Sequence, residues 1–433
     1  MNFEFIEYWT YMGWGRFTRV FWYFLIFDFS RFILFDVFVF IRKSLLLDVD
    51  FEADKRARKK LFHEHPFISI IVPGKNEGKH LYRMLDSIKT QTYQNFEFIF
   101  VDDGSDDSTP LIAKSCLKIF PKLKYYRSRS SGGKASAANY ALRMATGIFI
   151  VAIDADCSFE DDAIEKILIP FYKDKTIGAV GGDVKIRDWK GNLCLRLQAL
   201  EYILSISLGR VVTSELGIYR IVSGAFGAFR TAIVDQVGGY DHGPGLDGDI
   251  TVKIRKSGYK VAFQPAAICY TTGPGNFKKL SKQRLRWSKS IVRFRMRKHK
   301  DVFYPNSNFR LSNMLSSAEN ILYCVILDFL WWYYIIEILL SSPHTLEFIV
   351  PMNFLLYTLL ILAQFILALI LSRRAKKEIT LLPYVLLMSA YNGFYMKIVR
   401  TVAYMKEFFF KDSFNDLWNP KKSSIRAKQT LRM

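Results

Sequence analysis

From Pro66 onward, four short apolar runs, at residues 68–72, 96–101, 148–153 and 177–180, alternate with segments of helical periodicity at 79–91, 109–120, 135–145 and 161–171. Pro110 stands just inside the start of the second helical segment, where a missing N–H costs nothing. Such alternation predicts an α/β domain on a parallel sheet. Ligands of these sheets gather beyond the carboxyl ends of the strands, and three polar motifs fall at such ends: PGKNEG after the first run, DDGSDD after the second, DADC after the third. Any one alone could be a turn or a helix cap. Three in register on one edge point to a site.

Apolar windows flank this region on both sides. With 433 residues, 50% of them hydrophobic, the chain has room for a globular domain of about 200 to 250 residues and a membrane part. Its net charge of +21 is concentrated at residues 55–60 and 284–300, beside hydrophobic segments, which predicts cytoplasmic loops against anionic headgroups. No nucleic-acid recognition module accompanies the charge, so nucleic-acid binding is set aside. The five cysteines show neither CxxC spacing nor a histidine partner, which argues against a zinc site or a disulfide frame.

Residues 20–41 are long enough to span a bilayer but carry Asp28, Arg31 and Asp36. Sixteen Val, Ile, Leu and Phe at about 0.3 to 0.6 kcal/mol each nearly cancel three charges at about 2.5 to 3.5 each, so a spanning helix here requires neighbours. Asp28 and Arg31, three residues apart, are expected to pair on the face turned to those neighbours. Further windows lie at 321–336, with Asp328 as a candidate tunnel-lining group, at 349–371, and at 379–396. The segment 397–410 is too short and too basic for a clear crossing, and an interfacial or re-entrant placement suits it. Residues 193–211 form a second apolar stripe, read either as an interfacial helix or as a core helix.

Asp154 and Asp156, placed on one side of an extended segment, would repel unless a cation sat between them, and hard oxygen ligands suit Mg2+ or Mn2+ carried on a diphosphate. Upstream, Arg127, Arg129 and Lys134 bring positive charge and glycine-rich backbone that can approach phosphates. The QRLRW run, Gln283 to Trp287, joins two guanidinium forks to an aromatic face, suited to a polyanionic leaving group beside a sugar ring.

PGKNEG, VDDGS, SGGKASAAN, AIDAD, SGAFGAFR, VGGYD, LDGDITVKIRKSGY and QRLRW occur here in an order that resembles inverting family 2 glycosyltransferases, over residues 66–295. The likeness is to the processive, membrane-embedded cellulose, chitin, hyaluronan and poly-N-acetylglucosamine synthases. It implies an α/β GT-A (Rossmann-like) cytoplasmic domain inserted between transmembrane α-helices, in the cell membrane. The expected organisation is an anchor and basic linker at 1–65, the glycosyltransferase domain at 66–300, transmembrane helices at 311–410 and a basic tail at 411–433. The implied partners are a UDP-sugar donor, a growing polysaccharide acceptor, the bilayer, and export or regulatory subunits. Carried onto this sequence, Asn76 and Glu77 with Asp102 or Asp103 would hold base and ribose. Asp154 and Asp156 would bind the metal, and Asp247 would be the general base. Gln283, Arg284 and Arg286 would hold the leaving diphosphate, and Trp287 would stack on the acceptor sugar. One departure is Leu246, which stands where the family has a first acid, so Asp249 competes with Asp247 for the base. A non-processive transferase with a lipid acceptor is the alternative activity, and a catalytically silent scaffold is the alternative class.

Overall fold

The computed structural model of the chain describes residues 3–243, 245–307 and 309–415. The basic tail expected at 411–433 lies, from residue 416 on, outside the described residues. Eight strands form one sheet: β1 (Ile68–Gly74), β2 (Phe96–Asp102), β3 (Leu123–Arg127), β4 (Phe149–Ile153), β5 (Ser158–Phe159), β6 (Ile177–Ile186), β7 (Phe226–Arg230) and β8 (Lys260–Thr271), in the order β3-β2-β1-β4-β7-β6-β8-β5. The four apolar runs are β1, β2, β4 and β6. Their continuous burial is what a sheet covered on both faces demands.

The sheet is mixed, not parallel as the alternation predicts. β1 pairs in parallel with β2 and β4, and β2 with β3, but β7 runs antiparallel to both β4 and β6, and β5 antiparallel to β8. After β6 the chain passes through helical segments Leu193–Tyr202, Ile203–Leu208 and Gly209–Glu215, then re-enters the sheet from the opposite direction. The start of β7 therefore sits beside the end of β4, with Phe226 opposite Ile153.

Helices Gly78–Lys89, Thr109–Ile119, Lys134–Met144 and Ala163–Lys173 cover the sheet where the periodicity predicts them. In the first, Leu81, Met84, Leu85 and Ile88 recur at helical spacing and are all buried, about 1.5 to 3 kcal/mol for each side chain. Helix Leu47–Glu64 docks on Ala163–Lys173 through buried Leu61 and through Arg58, which donates to Glu165 at 2.5 Å. The first basic cluster is therefore partly a domain contact. In the second, Arg284, Arg293 and Arg295 are buried inside the protein instead of facing headgroups.

Two helices among the described residues, Leu311–Ser341 and Pro343–Leu371, are long and apolar enough to cross a membrane. Their outward faces expose Tyr333, Ile336, Leu340, Leu359, Ile366 and Ile370. The 20–41 window is not one regular helix: it breaks near Phe21 and continues as Phe24–Leu34 and Phe35–Leu45. Asp28 and Arg31 do not pair as expected. Arg31 bonds Glu319 at 2.8 Å and lies 3.7 Å from Asp36, whereas Asp28 accepts from the Tyr357 hydroxyl. Neither is Asp328 free for a tunnel, because Arg400 holds both its oxygens at 2.7 and 2.9 Å. Helix Lys397–Phe410 packs on the QRLRW helix, Phe277–Ile291.

Candidate active site

The first two sheet ends interlock. Asn76 adopts φ 60°, a left-handed conformation that asparagine tolerates. Its N–H donates to Ser105 Oγ at 2.9 Å, and its Oδ1 accepts from the Asp106 N–H at 3.1 Å. Asp102 is fully buried and accepts from the Ser105 N–H at 2.8 Å and from the Tyr125 hydroxyl at 2.9 Å, with Arg127 3.5 Å away. Asp103 accepts from Ser131 Oγ (2.6 Å) and the N–H groups of Gly132 (2.8 Å) and Gly133 (2.9 Å). Two expectations change here. The glycine-rich backbone aims its amides at Asp103, not at a phosphate, and Asp102 presents no open face to a nucleotide. Asn76 and Glu77 remain at the rim.

Beyond β4 the chain turns tightly, the Cys157 N–H donating to Asp154 O at 3.1 Å, so the two aspartates are not presented by strand alternation. Asp154 Oδ1 accepts from Lys134 Nζ at 2.6 Å, and Asp156 Oδ2 from Thr271 Oγ1 at 3.0 Å and the Thr272 N–H at 3.3 Å. Both carboxylates nonetheless act on Glu77. Burial first, then the charges of Asp156 and Asp154, push Glu77 up to about 7. Asp154 and Asp156 offer hard oxygens of the kind that suit a divalent cation, but among the described residues no three of Asp, Glu, His or Cys come together closely enough to hold one by themselves.

Asp247 completes the edge. The antiparallel entry of β7 puts Gly224 at the tip of β4, and its N–H donates to the Asp247 carboxylate. A Cβ on Gly224 would stand 2.4 Å from Asp247 Oδ1, so a side chain there would have to displace the carboxylate. Tyr240 and the following loop are tied to helix Lys134–Met144 by Asn139, which donates to Tyr240 O at 2.7 Å and accepts from its N–H at 2.8 Å. That approach needs Gly239, whose φ is +66° and whose Cβ would fall 2.7 Å from Asn139 Oδ1. Lys134, Gly224, Tyr240 and Asp247 line one small cavity of about 20 Å³ with Ile153 at its floor. Desolvation raises Asp247 above the ordinary carboxylate range; Lys134 opposes this and Asp154 adds to it. Burial alone would depress Lys134, but Asp154 and Asp247 together overturn that and hold its ammonium charged.

Asp249 has a different fate. It is 1% exposed, accepts from Lys298 Nζ at 2.7 and 2.8 Å, and lies 2.7 Å from His299 Nε2. Burial would raise it, yet those donors leave it below the usual carboxylate range. A carboxylate so occupied is a fastener between helix Leu246–Lys256 and the 292–299 segment, not a free base.

Helix Phe277–Ile291 starts where the Asn276 side chain accepts from the Lys279 N–H at 2.9 Å. It buries Leu280, Arg284 and Ser288, four residues apart, and leaves Trp287 43% exposed. Arg286, half-buried, is near enough to Lys134 to oppose its charge. Arg284, expected on the diphosphate, is 3% exposed and donates to Glu201 at 2.8 Å and to Gln283 Oε1 at 2.8 Å. Its place on the Leu280 and Ser288 stripe is the signal that separates it from Arg286. Gly224, Tyr240 and Glu201 were not singled out from the sequence; the SGAFGAFR and VGGYD runs contain the first two. A larger cavity of about 310 Å³ lies near Trp189 and Arg374, where Lys185 pairs with Glu378 (2.7 Å) and Arg374 with Glu160 (3.3 Å), and its lining residue Arg187 donates to Asp156 O at 3.0 Å.

Residues 69–238 match the family model described as glycosyl transferase family 2. The poly-beta-1,6-N-acetyl-D-glucosamine synthase of Staphylococcus epidermidis is 30% identical over 223 residues, 51% of this chain and 53% of that protein. The enzyme of the same name from Staphylococcus aureus is 29% identical over 224 residues, again 51% and 53%. The chain thus spans about half the length of the curated relatives it matches. Among solved structures, the mannosyltransferase PcManGT from Pyrobaculum calidifontis, in complex with GDP-Man and Mn2+, superposes with a TM-score of 0.53 at 20% identity, covering 86% of this chain and 99% of that one. That likeness is one of fold: a GT-A-like Rossmann arrangement on a mixed sheet.

Proposed function

We propose that the family 2 glycosyltransferase domain at residues 69–238, with the segments that follow it, extends a β-linked polysaccharide from a UDP-sugar with inversion at the anomeric carbon. The observation that carries this reading is the meeting of Asp154, Lys134 and Asp247 at the tip of β4, with Arg286 near Lys134. In the reaction, an acceptor hydroxyl oxygen forms a bond to the anomeric carbon as the bond from that carbon to the diphosphate oxygen breaks. Asp247 takes the hydroxyl proton, and the electron pair leaves with the nucleoside diphosphate. Its raised affinity for protons brings Asp247 closer to the working pH than an ordinary carboxylate, which suits a base. Lys134, Arg286 and Gln283 face the leaving group with fixed positive and polar groups, and Trp287 offers its exposed ring to the acceptor sugar. Asn76 and Glu77 border the nucleotide, with Asp102 and Asp103 shaping their loop from behind.

Asp154 and Asp156 would hold Mg2+ or Mn2+, which when bound supplies positive charge against the donor diphosphate. The names of the staphylococcal relatives support N-acetylglucosamine as the sugar. Helices Leu311–Ser341 and Pro343–Leu371, with apolar side chains facing outward, support a multi-pass protein of the cell membrane whose catalytic domain lies in the cytoplasm. The bundle at 311–410 would then pass the polymer outward, with export or regulatory subunits as further partners.

Membranes carrying the chain, incubated with a panel of radiolabelled UDP-sugars and Mg2+ or Mn2+, test this directly. High polymer from UDP-N-acetylglucosamine is expected. A single labelled glycolipid would instead favour a non-processive transferase, and neither transfer nor hydrolysis from any donor would mark a silent scaffold.

A further inference from the structure

Arg284 does no work on the diphosphate in the arrangement above, yet its surroundings are specific. Its guanidinium carbon lies 4.3 Å from the Trp287 ring centroid and 5.7 Å from that of Tyr202. One nitrogen donates to Glu201 Oε2 at 2.8 Å, and the Tyr391 hydroxyl donates to the same oxygen at 2.8 Å. Tyr391 in turn stacks on Tyr395, with centroids 5.5 Å apart. The Tyr395 hydroxyl reaches back to the start of the motif helix, at 2.8 Å from both Ser281 Oγ and Phe277 O.

Three separate segments thus converge beneath one exposed tryptophan. Glu201 comes from helix Leu193–Tyr202, Arg284 from the motif helix, and Tyr391 and Tyr395 from Tyr391–Met396, which follows the apolar stretch after residue 379. A planar cation against a ring fixes that ring's tilt, and a buried guanidinium held by a carboxylate has little freedom of its own. Trp287 is 43% exposed, and the Arg284 guanidinium lies against its ring.

We infer that Glu201, Arg284 and Tyr391 are positioning residues through which the C-terminal segment sets the plane of Trp287, and with it the balance between chain extension and wasteful donor hydrolysis. The inference rests on the acceptor role proposed for Trp287. It adds that this platform is controlled from outside the family 2 domain, by a tyrosine more than 150 residues beyond the domain's end at residue 238.

The test uses the full chain in lipid nanodiscs. Sugar incorporated and nucleoside diphosphate released are measured in parallel, with UDP-N-acetylglucosamine as the probe, for Tyr391→Phe, Glu201→Gln, Arg284→Lys and Trp287→Ala. Tyr391→Phe is the mildest change, since only a hydroxyl is lost. It should raise the ratio of hydrolysis to extension at least about tenfold, the order expected for one hydrogen bond to a charged group, with the donor KM unchanged. Glu201→Gln should raise it further, and Arg284→Lys should retain part of the extension that Trp287→Ala loses. Parallel falls in both rates, or a rise in donor KM, would reduce the cluster to simple structural support and overturn the inference. A shifted ratio in Trp287→Ala with none in Tyr391→Phe and Glu201→Gln would overturn it alone. An unshifted ratio in Trp287→Ala would remove the acceptor role and the inference together.

Discussion

The carboxyl edge of the sheet and the ground beneath the motif helix handle charge in opposite ways. At the edge, Asp154 and Asp247 face Lys134, while burial and then the charges of Asp156 and Asp154 push Glu77 up to about 7. Beneath the helix the charges are matched: Arg284 with Glu201, Arg297 with Glu407, Lys289 with Asp412, Lys298 with Asp249. Buried pairs return little net stability after desolvation, so their use here is to hold one geometry. The proposed function puts the ligand at the carboxylate-rich edge, and the paired charges belong to the frame around it.

The sharpest way to break this contrast is Asp247→Asn. It should lower transfer about 10²- to 10⁴-fold, the range for losing a general base, while nucleotide affinity measured by calorimetry stays close to that of the parent. A fully active Asn variant would return Asp249 to contention despite its bonds to Lys298 and His299. Next in size is Gly224→Ala. The added methyl would meet the Asp247 carboxylate at 2.4 Å, and displacing that group by about an ångström should cost roughly 10²-fold in turnover without unfolding the chain. An unchanged turnover number would show that the close approach is dispensable.

The smallest effect belongs to the matched side. Burial depresses His299, so the folded chain resists a proton that the unfolded chain accepts readily below the ordinary histidine value of about 6.5. Its stability contribution is present above that value and declines as pH falls below it. Asp249, held low, keeps its own contribution until pH falls below the usual carboxylate range. Glu77, raised to about 7, works in the opposite sense over the same window, so the check is a difference: the thermal midpoint of the parent relative to His299→Asn should be higher at pH 7.5 than at pH 5.5. A slope equal to the parent's would show that another group carries it.

Much of the sheet up to β6 was legible because its strands are unbroken apolar runs, three of them followed at once by polar motifs. The strands that follow were not. FGAFR in β7 is short and contains a glycine, and Pro265 interrupts β8, so neither announces itself as a strand. Strand direction is invisible to periodicity in any case, which is why a reversed strand in the middle of the sheet escaped. Within the site, residue types were readable but allegiances were not. Asp247 and Asp249 differ by two positions, as do Arg284 and Arg286, and in each pair one member lies near Lys134 while the other is consumed inside the protein. Helix phase could have separated the arginines, because Arg284 falls on the stripe of Leu280 and Ser288. Nothing local could have foretold that Lys298 and His299 would claim Asp249.

The reversal of β7 has a consequence for how such a chain can be rebuilt. The parts upstream and downstream of that strand meet closely at the tip of β4, where Gly224 touches Asp247 and Asn139 ties down Tyr240. On the proposed function, a chimaera exchanged between Leu216 and Gly224 should keep the parent's choice of donor while adopting a new choice of what is extended.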